Sequence, residues 1–276
     1  MADGSTVSAM TPKLQVIGGG KMGEALIAGL IRGGWASPDE LQVVEKLAVR
    51  ADQLRAAFPE TPVVTEPAAA HGHLVAVKPG DVRAACAALA TANESDRAPV
   101  LSIAAGVSIA AIEAALAPGT PVVRAMPNTP ALVGAGAAAV APGRAAGDDH
   151  LAWAEGILRS VGTVVRVDEP LLDAVTGLSS SGPAYVFLVV EALVEAGVLA
   201  GLSRPVSEAL THQMVLGAAR LVVESGQTPE ALRAAVTSPG GTTAAGLREL
   251  ERAGVRAAFL DAVMAATERS RALGQA

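Results

Sequence analysis

Ser238-Pro239-Gly240-Gly241-Thr242-Thr243 interrupts an alanine-rich, helical C-terminal half with residues that a helix interior disfavours. Pro239 removes a backbone donor and the two glycines allow close backbone approach. The NH groups from Gly241 onward, with the hydroxyls of Thr242 and Thr243, then stand where a helix restarts around Thr243. Bare NH groups at a helix start, flanked by hydroxyls, can receive a carboxylate. The same six residues also compose an ordinary capped turn between two helices, and alone they leave both readings open.

A second constellation lies near the other end of the chain. Gly18-Gly19-Gly20-Lys21-Met22-Gly23 follows the apolar run Leu14–Ile17 and precedes a helical stretch, which is the context of the dinucleotide fingerprint G-x-G-x-x-G. Gly18 makes the tight turn, Gly20 lets a pyrophosphate approach the backbone, and Gly23 lets the helix pack on the sheet. Glu45 ends the next strand, where an acidic residue holds the adenosine ribose 2′-hydroxyl and favours NAD. Lys46 and Arg50 follow closely and would hold a 2′-phosphate, so the sequence points both ways on cofactor preference.

Three further segments end strands on the carboxyl edge, where an open α/β sheet binds its ligand. They are Ala76-Val77-Lys78-Pro79, Ser102-Ile103-Ala104-Ala105-Gly106 and Arg124-Ala125-Met126-Pro127-Asn128-Thr129-Pro130. Lys78 is a candidate catalytic acid or, equally, a cofactor or rim contact. Asn128, in a loop stiffened by two prolines, would cap or contact the nicotinamide region.

The elements that must hold these residues are legible. Short β-rich runs at 14–18, 41–45, 63–65, 74–78, 100–104, 122–125 and 164–167 alternate with helical stretches, which predicts βαβ units and a parallel sheet covered on both faces. Beyond Asp168 strand signals vanish, and helices are expected at 183–199, 205–224, 229–235 and 243–273, the last broken near Gly254. The expectation is therefore an α/β protein, with a doubly wound Rossmann-type domain over residues 1–168 and an all-α domain over 169–276. Met1–Lys13 reads as a flexible leader rather than a signal peptide. The helical domain carries broader apolar faces (Val186, Val189, Val190, Leu193 and Val194; Val215, Leu216, Leu221 and Val222) than a small domain needs to close its own core. That predicts self-association.

Composition removes other classes. The 276 residues are 51% hydrophobic with a net charge of -6, and the pI is near 5.3. With no basic stripe interleaved with aromatics, neither nucleic acid nor a membrane surface is an expected partner. The longest apolar run, Val186–Val190, falls far short of a membrane span. The single cysteine, Cys86, forbids an intrachain disulfide and reads as a small core residue in a reducing, cytoplasmic compartment. His71, His73, His150 and His212 lack ligand spacing, so no metal site is expected. Tyr185, beside Pro183 and Phe187 on a helix, reads as packing rather than as a proton donor.

With these residues in view the chain resembles the pyrroline-5-carboxylate reductases. The likeness rests on Ile17–Glu24, Ala76–Pro79, Ser102–Gly106, Arg124–Pro130, Thr176–Phe187 and Ser238–Thr243, which stand in the family's order and approximate spacing. The resemblance implies a dinucleotide domain, a helical dimerisation domain, and a ring of five dimers with each active site formed between subunits. It also implies NADPH as hydride donor, with NADH as the alternative. The sequence departs from the family pattern at Lys21 (often Asn), at Ser180 (usually Gly) and at Glu45-Lys46. Ser180 must avoid left-handed dihedrals.

The implied reaction is hydride transfer from the reduced nicotinamide to the C5 imine carbon of L-1-pyrroline-5-carboxylate, giving L-proline. By resemblance, Thr243 is the hydroxyl that reaches the imine nitrogen, and Ser238, Gly240, Gly241, Thr242 and Thr243 cradle the substrate carboxylate. A protonated imine is already electrophilic, which suits a site without a strong acid. Two other readings stand beside this one: a related two-domain reductase of another imine or hydroxy acid, and a non-catalytic dinucleotide sensor. The former class uses an interdomain lysine in some members, and no lysine occurs from Glu169 onward. A sensor has no need of the donor-rich turn at Ser238–Thr243.

Overall fold

A computed structural model describes residues 11–92 and 97–274. Most of the leader expected at Met1–Lys13 lies outside the described residues. Lys13 itself is anchored, its NH donating to Glu40 O and its ammonium standing over the Trp35 ring at 4.4 Å.

Eight strands form one sheet: β1 (Leu14–Ile17), β2 (Leu41–Val44), β3 (Val63–Val64), β4 (His73–Val75), β5 (Val100–Ser102), β6 (Val122–Met126), β7 (Gly136–Pro142) and β8 (Gly162–Arg166). Their order is β3-β2-β1-β4-β5-β6-β7-β8. The helices accompanying them are α1 (Lys21–Arg32), α2 (Ala48–Ala57), α3 (Val82–Ala92), α4 (Ile109–Ala114), α5 (Asp148–Arg159) and the short α6 (Leu172–Val175). β1 pairs in parallel with β2 on one side and β4 on the other, so the chain reverses its direction of winding there. This is the switch point at which an open α/β sheet leaves a crevice.

The period of two along each strand sorts the core into two layers. Leu14, Val16, Leu41, Val43, Leu74, Leu101 and Val123 pack with Leu26, Leu30 and Ile157 on one face. Ile17, Val44, Val75, Val100 and Val122 pack with Val82, Cys86, Leu89 and Ile112 on the other. Cys86 is fully buried there, and burial pushes its thiol up to about 11.

The sheet is not wholly parallel as the sequence led one to expect. β7, Gly-Ala-Ala-Ala-Val-Ala-Pro, runs antiparallel to β6 and parallel to β8. Its glycine and alanines carry little β propensity, so the strand has almost no local signal. Small size is what its first position demands, because a Cβ on Gly136 would lie 2.9 Å from Val161 O, and a Cβ on Gly162 of β8 would run into Gly136 O.

The chain divides into two compact units, one of residues up to Ser180 together with those from Ala266 onward, the other Ser181–Ala265. The packing boundary therefore lies beyond Asp168, because Leu172 is fully buried and belongs to the second core layer with Val175 against it. The last helix also returns to the first unit, where Ser270 Oγ donates to Asp173 Oδ1 at 2.7 Å.

The second unit holds α7 (Gly182–Leu199), α8 (Arg204–Glu224), α9 (Pro229–Ala235), α10 (Thr242–Arg252) and the first half of α11 (Val255–Gly274). α7 and α8 approach through small residues: Ser207 Oγ donates to Val194 O at 2.8 Å, and a Cβ on Gly197 would meet Ser207 Oγ. Among apolar side chains of 181–265 only Val194 is buried, while Phe187, Leu188, Leu210, Leu221, Val223 and Leu260 stand exposed. The helical stretch 169–199 is long and apolar enough to cross a membrane by length and composition. The unbroken run Val186–Val190 is only part of this stretch, whose remaining apolar residues are separated by short polar breaks.

Candidate functional site

The glycine loop joins β1 to α1. Gly18, at φ +101°, donates its NH to Val44 O at 2.9 Å, and a Cβ there would lie 2.8 Å from Ala76 O. A Cβ on Gly23 would run into Gly18 O, and one on Gly19 would meet the end of the Leu54 side chain. Gly20 differs from all three, with nothing within 4 Å of an added Cβ. Gly18 and Gly23 are thus required by the neighbouring backbone, Gly19 packs against the tip of the buried Leu54 side chain, and Gly20 fronts open space at the N-terminus of a twelve-residue helix. Exposed NH groups and the positive end of the helix dipole at that open face suit a pyrophosphate, and Lys21 is exposed beside them.

Glu45 closes the loop from the side. One carboxylate oxygen accepts from Gly19 N at 3.1 Å and the other from Leu47 N at 2.9 Å. Arg50 holds the other polar group of Gly19: its Nε donates to Gly19 O at 2.6 Å, while its terminal nitrogens bond Glu24 and Gln53. The pairing offsets the negative charge that Glu24 brings to the first turn of α1. Arg50, read from sequence as a holder of a 2′-phosphate, is instead turned inward on the glycine loop. Lys46 stands in an exposed ion pair with Glu66 at 3.7 Å.

The other strand ends sit on the same edge. Ala76 N bonds Ile17 O, Val77 lies against Gly18, and Lys78, exposed, precedes the one-turn helix opened by Pro79. Ser102 is fully buried, its hydroxyl accepting from Ala104 N at 3.4 Å. Ala104 is buried and Ala105 exposed. Gly106, at φ +72°, turns the chain beside Leu273 in the last turn of α11.

Asn128 is committed within the chain. Its Oδ1 accepts from Ala137 N at 2.9 Å, and its Nδ2 donates to Ser179 O and Ser179 Oγ at 3.1 and 3.3 Å. Ser180 Oγ donates to Pro127 O at 2.9 Å. The segment Thr176–Ser180 that they hold is a π-turn between α6 and α7, a distortion frequent at functional sites. Ser180 has no positive φ, as its side chain required. Sequence reasoning did not foresee this anchorage, nor the pairing of nearly buried Arg124 with Glu169 at 3.0 Å, where the same carboxylate oxygen caps Ile109 N. The Gly-Ser run before Pro183 was the available signal for the π-turn.

In the second unit, Gly240 adopts φ +69° and Gly241 N donates to Ser238 O at 3.0 Å, closing a turn. This takes the Gly241 NH out of the expected cradle, which begins one residue later. α10 opens at Thr242 with Gly241 at its cap and no side chain bonded there. The first NH groups of that helix have no intrahelical partners, and Thr243 is half-buried beside them. Ser238 Oγ lies against Gly241, where an added Cβ would meet it. Among the described residues no group of three His, Cys, Asp or Glu could hold a metal ion.

Comparisons with known proteins bear on both units. Residues 169–273 match the family described as pyrroline-5-carboxylate reductase dimerisation, and residues 13–106 match NADP oxidoreductase coenzyme F420-dependent. The pyrroline-5-carboxylate reductase of Synechocystis sp. is 45% identical over 269 residues, 96% of this chain and all of that one. A solved pyrroline-5-carboxylate reductase from Coxiella burnetii superposes with TM-score 0.90 at 36% identity, covering 96% of this chain and 99% of that one. A Plasmodium falciparum pyrroline carboxylate reductase solved with NADP bound reaches TM-score 0.82 at 29% identity, covering 95% and 98%.

Proposed function

The chain belongs to the pyrroline-5-carboxylate reductase family, and from that premise we propose how its residues divide the work. It is an NAD(P)H-dependent oxidoreductase that reduces L-1-pyrroline-5-carboxylate to L-proline, the last step of proline biosynthesis. The observation that carries this is the full-length likeness to the Coxiella burnetii enzyme, at 36% identity and TM-score 0.90. Bound NAD(P)H supplies the hydride that the imine carbon receives.

The glycine loop fits that group, because the open face of Gly20 is a cradle that the chain's own packing leaves empty. Gly20, Lys21 and the first NH groups of α1 take the pyrophosphate, with Gly18, Gly19, Met22 and Gly23 shaping the loop. Ala76–Pro79, Ser102, Ala104–Gly106 and Asn128 form the rim on the same edge, Asn128 acting through the π-turn it anchors. The NH groups of Thr242 and Thr243, with Ser238 beside them, receive the substrate carboxylate. Thr243 Oγ1 hydrogen-bonds the imine nitrogen as electron density arrives there. Nothing in this scheme asks Lys78 to move a proton, since the iminium form carries its own.

The chain forms a dimer through the helical region, in which 169–273 serves as the dimerisation and substrate-binding domain. A second copy, rather than a bilayer, covers the apolar faces of α7 and α8, and this is the reading we give to the long apolar stretch 169–199. We extend it to a ring of five dimers in the cytoplasm, with each active site drawing on two subunits. The test is turnover: addition of L-1-pyrroline-5-carboxylate to protein and NAD(P)H should oxidise the dinucleotide and yield one proline per hydride. Dinucleotide binding without turnover would favour a sensor.

A further inference from the structure

We propose that Glu45 is the residue that sets the nicotinamide preference of this chain, holding the adenosine ribose 2′-hydroxyl and weakening NADPH relative to NADH. The inference rests on the cofactor reading of the glycine loop. Glu45 stands immediately after β2, at the switch-point edge of the sheet, with its NH bonded to Val64 O at 2.9 Å. In this fold an acidic side chain at that place reads the ribose hydroxyl. Its carboxylate is fixed by two backbone donors, Gly19 N and Leu47 N, so it is preorganised rather than free to swing away. A carboxylate accepts about four hydrogen bonds, and two of those sites remain for hydroxyl groups.

Of the basic residues beside it, Arg50 is fully engaged and Lys46 projects into solvent. Arg50 places Nε on Gly19 O and its two terminal nitrogens on Glu24 and Gln53. Turning it outward would forfeit all three and leave the Glu24 carboxylate uncompensated at the head of α1. Lys46 is matched by Glu66 at the surface. A 2′-phosphate carries about two negative charges and has no use for a fixed carboxylate, whereas a hydroxyl donates to it. Arg50 is then a positioning residue: with Glu45 it clamps both polar groups of the Gly19 residue, and it serves the two cofactors alike.

The test is equilibrium binding of NADH and NADPH, read by nicotinamide fluorescence, to the wild-type protein and to Glu45→Gln, Glu45→Ser and Arg50→Met. Circular dichroism establishes that each variant is folded. Both Glu45 variants should shift the Kd ratio toward NADPH by about ten- to a hundredfold, the range spanned by one charged hydrogen bond. Arg50→Met should weaken both dinucleotides by a similar factor. An unchanged ratio in both Glu45 variants, or selective loss of NADPH in Arg50→Met, overturns the proposal. If the wild-type protein binds neither dinucleotide, the cofactor reading of the loop falls and takes the proposal with it.

Discussion

The side chain of Asn128 ties two separate segments together, accepting from Ala137 N while its amide donates to both Ser179 O and Ser179 Oγ. The loop after β6 and the π-turn before α7 are therefore one mechanical piece, reinforced by the Ser180 hydroxyl on Pro127 O. Asn128→Ala removes all three of its bonds and leaves partly buried groups unsatisfied. A loss of about 1–3 kcal/mol is expected, measured as a lowered urea midpoint, with a drop in kcat as the π-turn loosens. Unchanged stability would mean that the anchorage contributes nothing to holding the fold.

The glycines of the cofactor loop should separate under substitution. Gly20→Ala adds a methyl group into open space, so the fold should be as stable as before while NAD(P)H binds more weakly. Gly18→Ala forces a left-handed backbone and a contact of 2.8 Å with Ala76 O, and should cost about 1–3 kcal/mol of stability. Thermal melting and cofactor titration on the two variants distinguish these effects. Equal cofactor affinity in Gly20→Ala would remove the pyrophosphate assignment.

Cys86 supplies a pH signature. Its thiol is raised from the ordinary 9.0 to about 11 by burial, so the unfolded chain ionises first as pH rises. The folded state therefore loses stability progressively from pH 9 toward 11, by up to about 1.4 kcal/mol for each unit, and nothing from this group below pH 9. A thiol reagent at pH 8 should label the unfolded chain and spare the native one. In Cys86→Ala the alkaline decline should flatten; an identical decline would assign it to other groups.

The fold was legible where side chains carry the pattern. The apolar runs of β1, β2, β4, β5 and β6, the glycine loop and the proline-led helices α7, α8 and α9 all stand within a few residues of their expected places. β7 was hidden because Gly136–Ala139 have no β-branched side chain, and its pairing depends on close approach to β8 rather than on propensity. The commitments of Arg50 and Asn128 were equally invisible, since a basic or amide side chain near a site reads as a ligand contact until its other partners are seen. The π-turn depended on contacts 51 residues apart in sequence, from Asn128 to Ser179.

The helical unit makes its own prediction. Val194 is the single buried apolar side chain of 181–265, whereas Leu188 is 66% exposed, so the unit lacks a core that one copy could supply. Leu188→Glu should yield a helical protein that light scattering reports as monomer, with NAD(P)H-dependent turnover lost. A monomer with wild-type turnover would contradict the role given to the partner.

Steady-state kinetics of Thr243→Ala are the sharpest test of the proposal that the Ser238–Thr243 turn holds the substrate. The hydrogen bond to the imine nitrogen strengthens in the transition state, so kcat and kcat/KM for L-1-pyrroline-5-carboxylate should both fall. The drop should be roughly ten- to a hundredfold for a bond worth about 1.5–3 kcal/mol, with NAD(P)H affinity unchanged. Ser238→Ala, measured alongside, should mainly raise KM for the pyrroline. Thr243→Ala protein that assembles correctly and keeps wild-type kcat and KM would contradict the claim and leave the hexapeptide as a capped turn between helices.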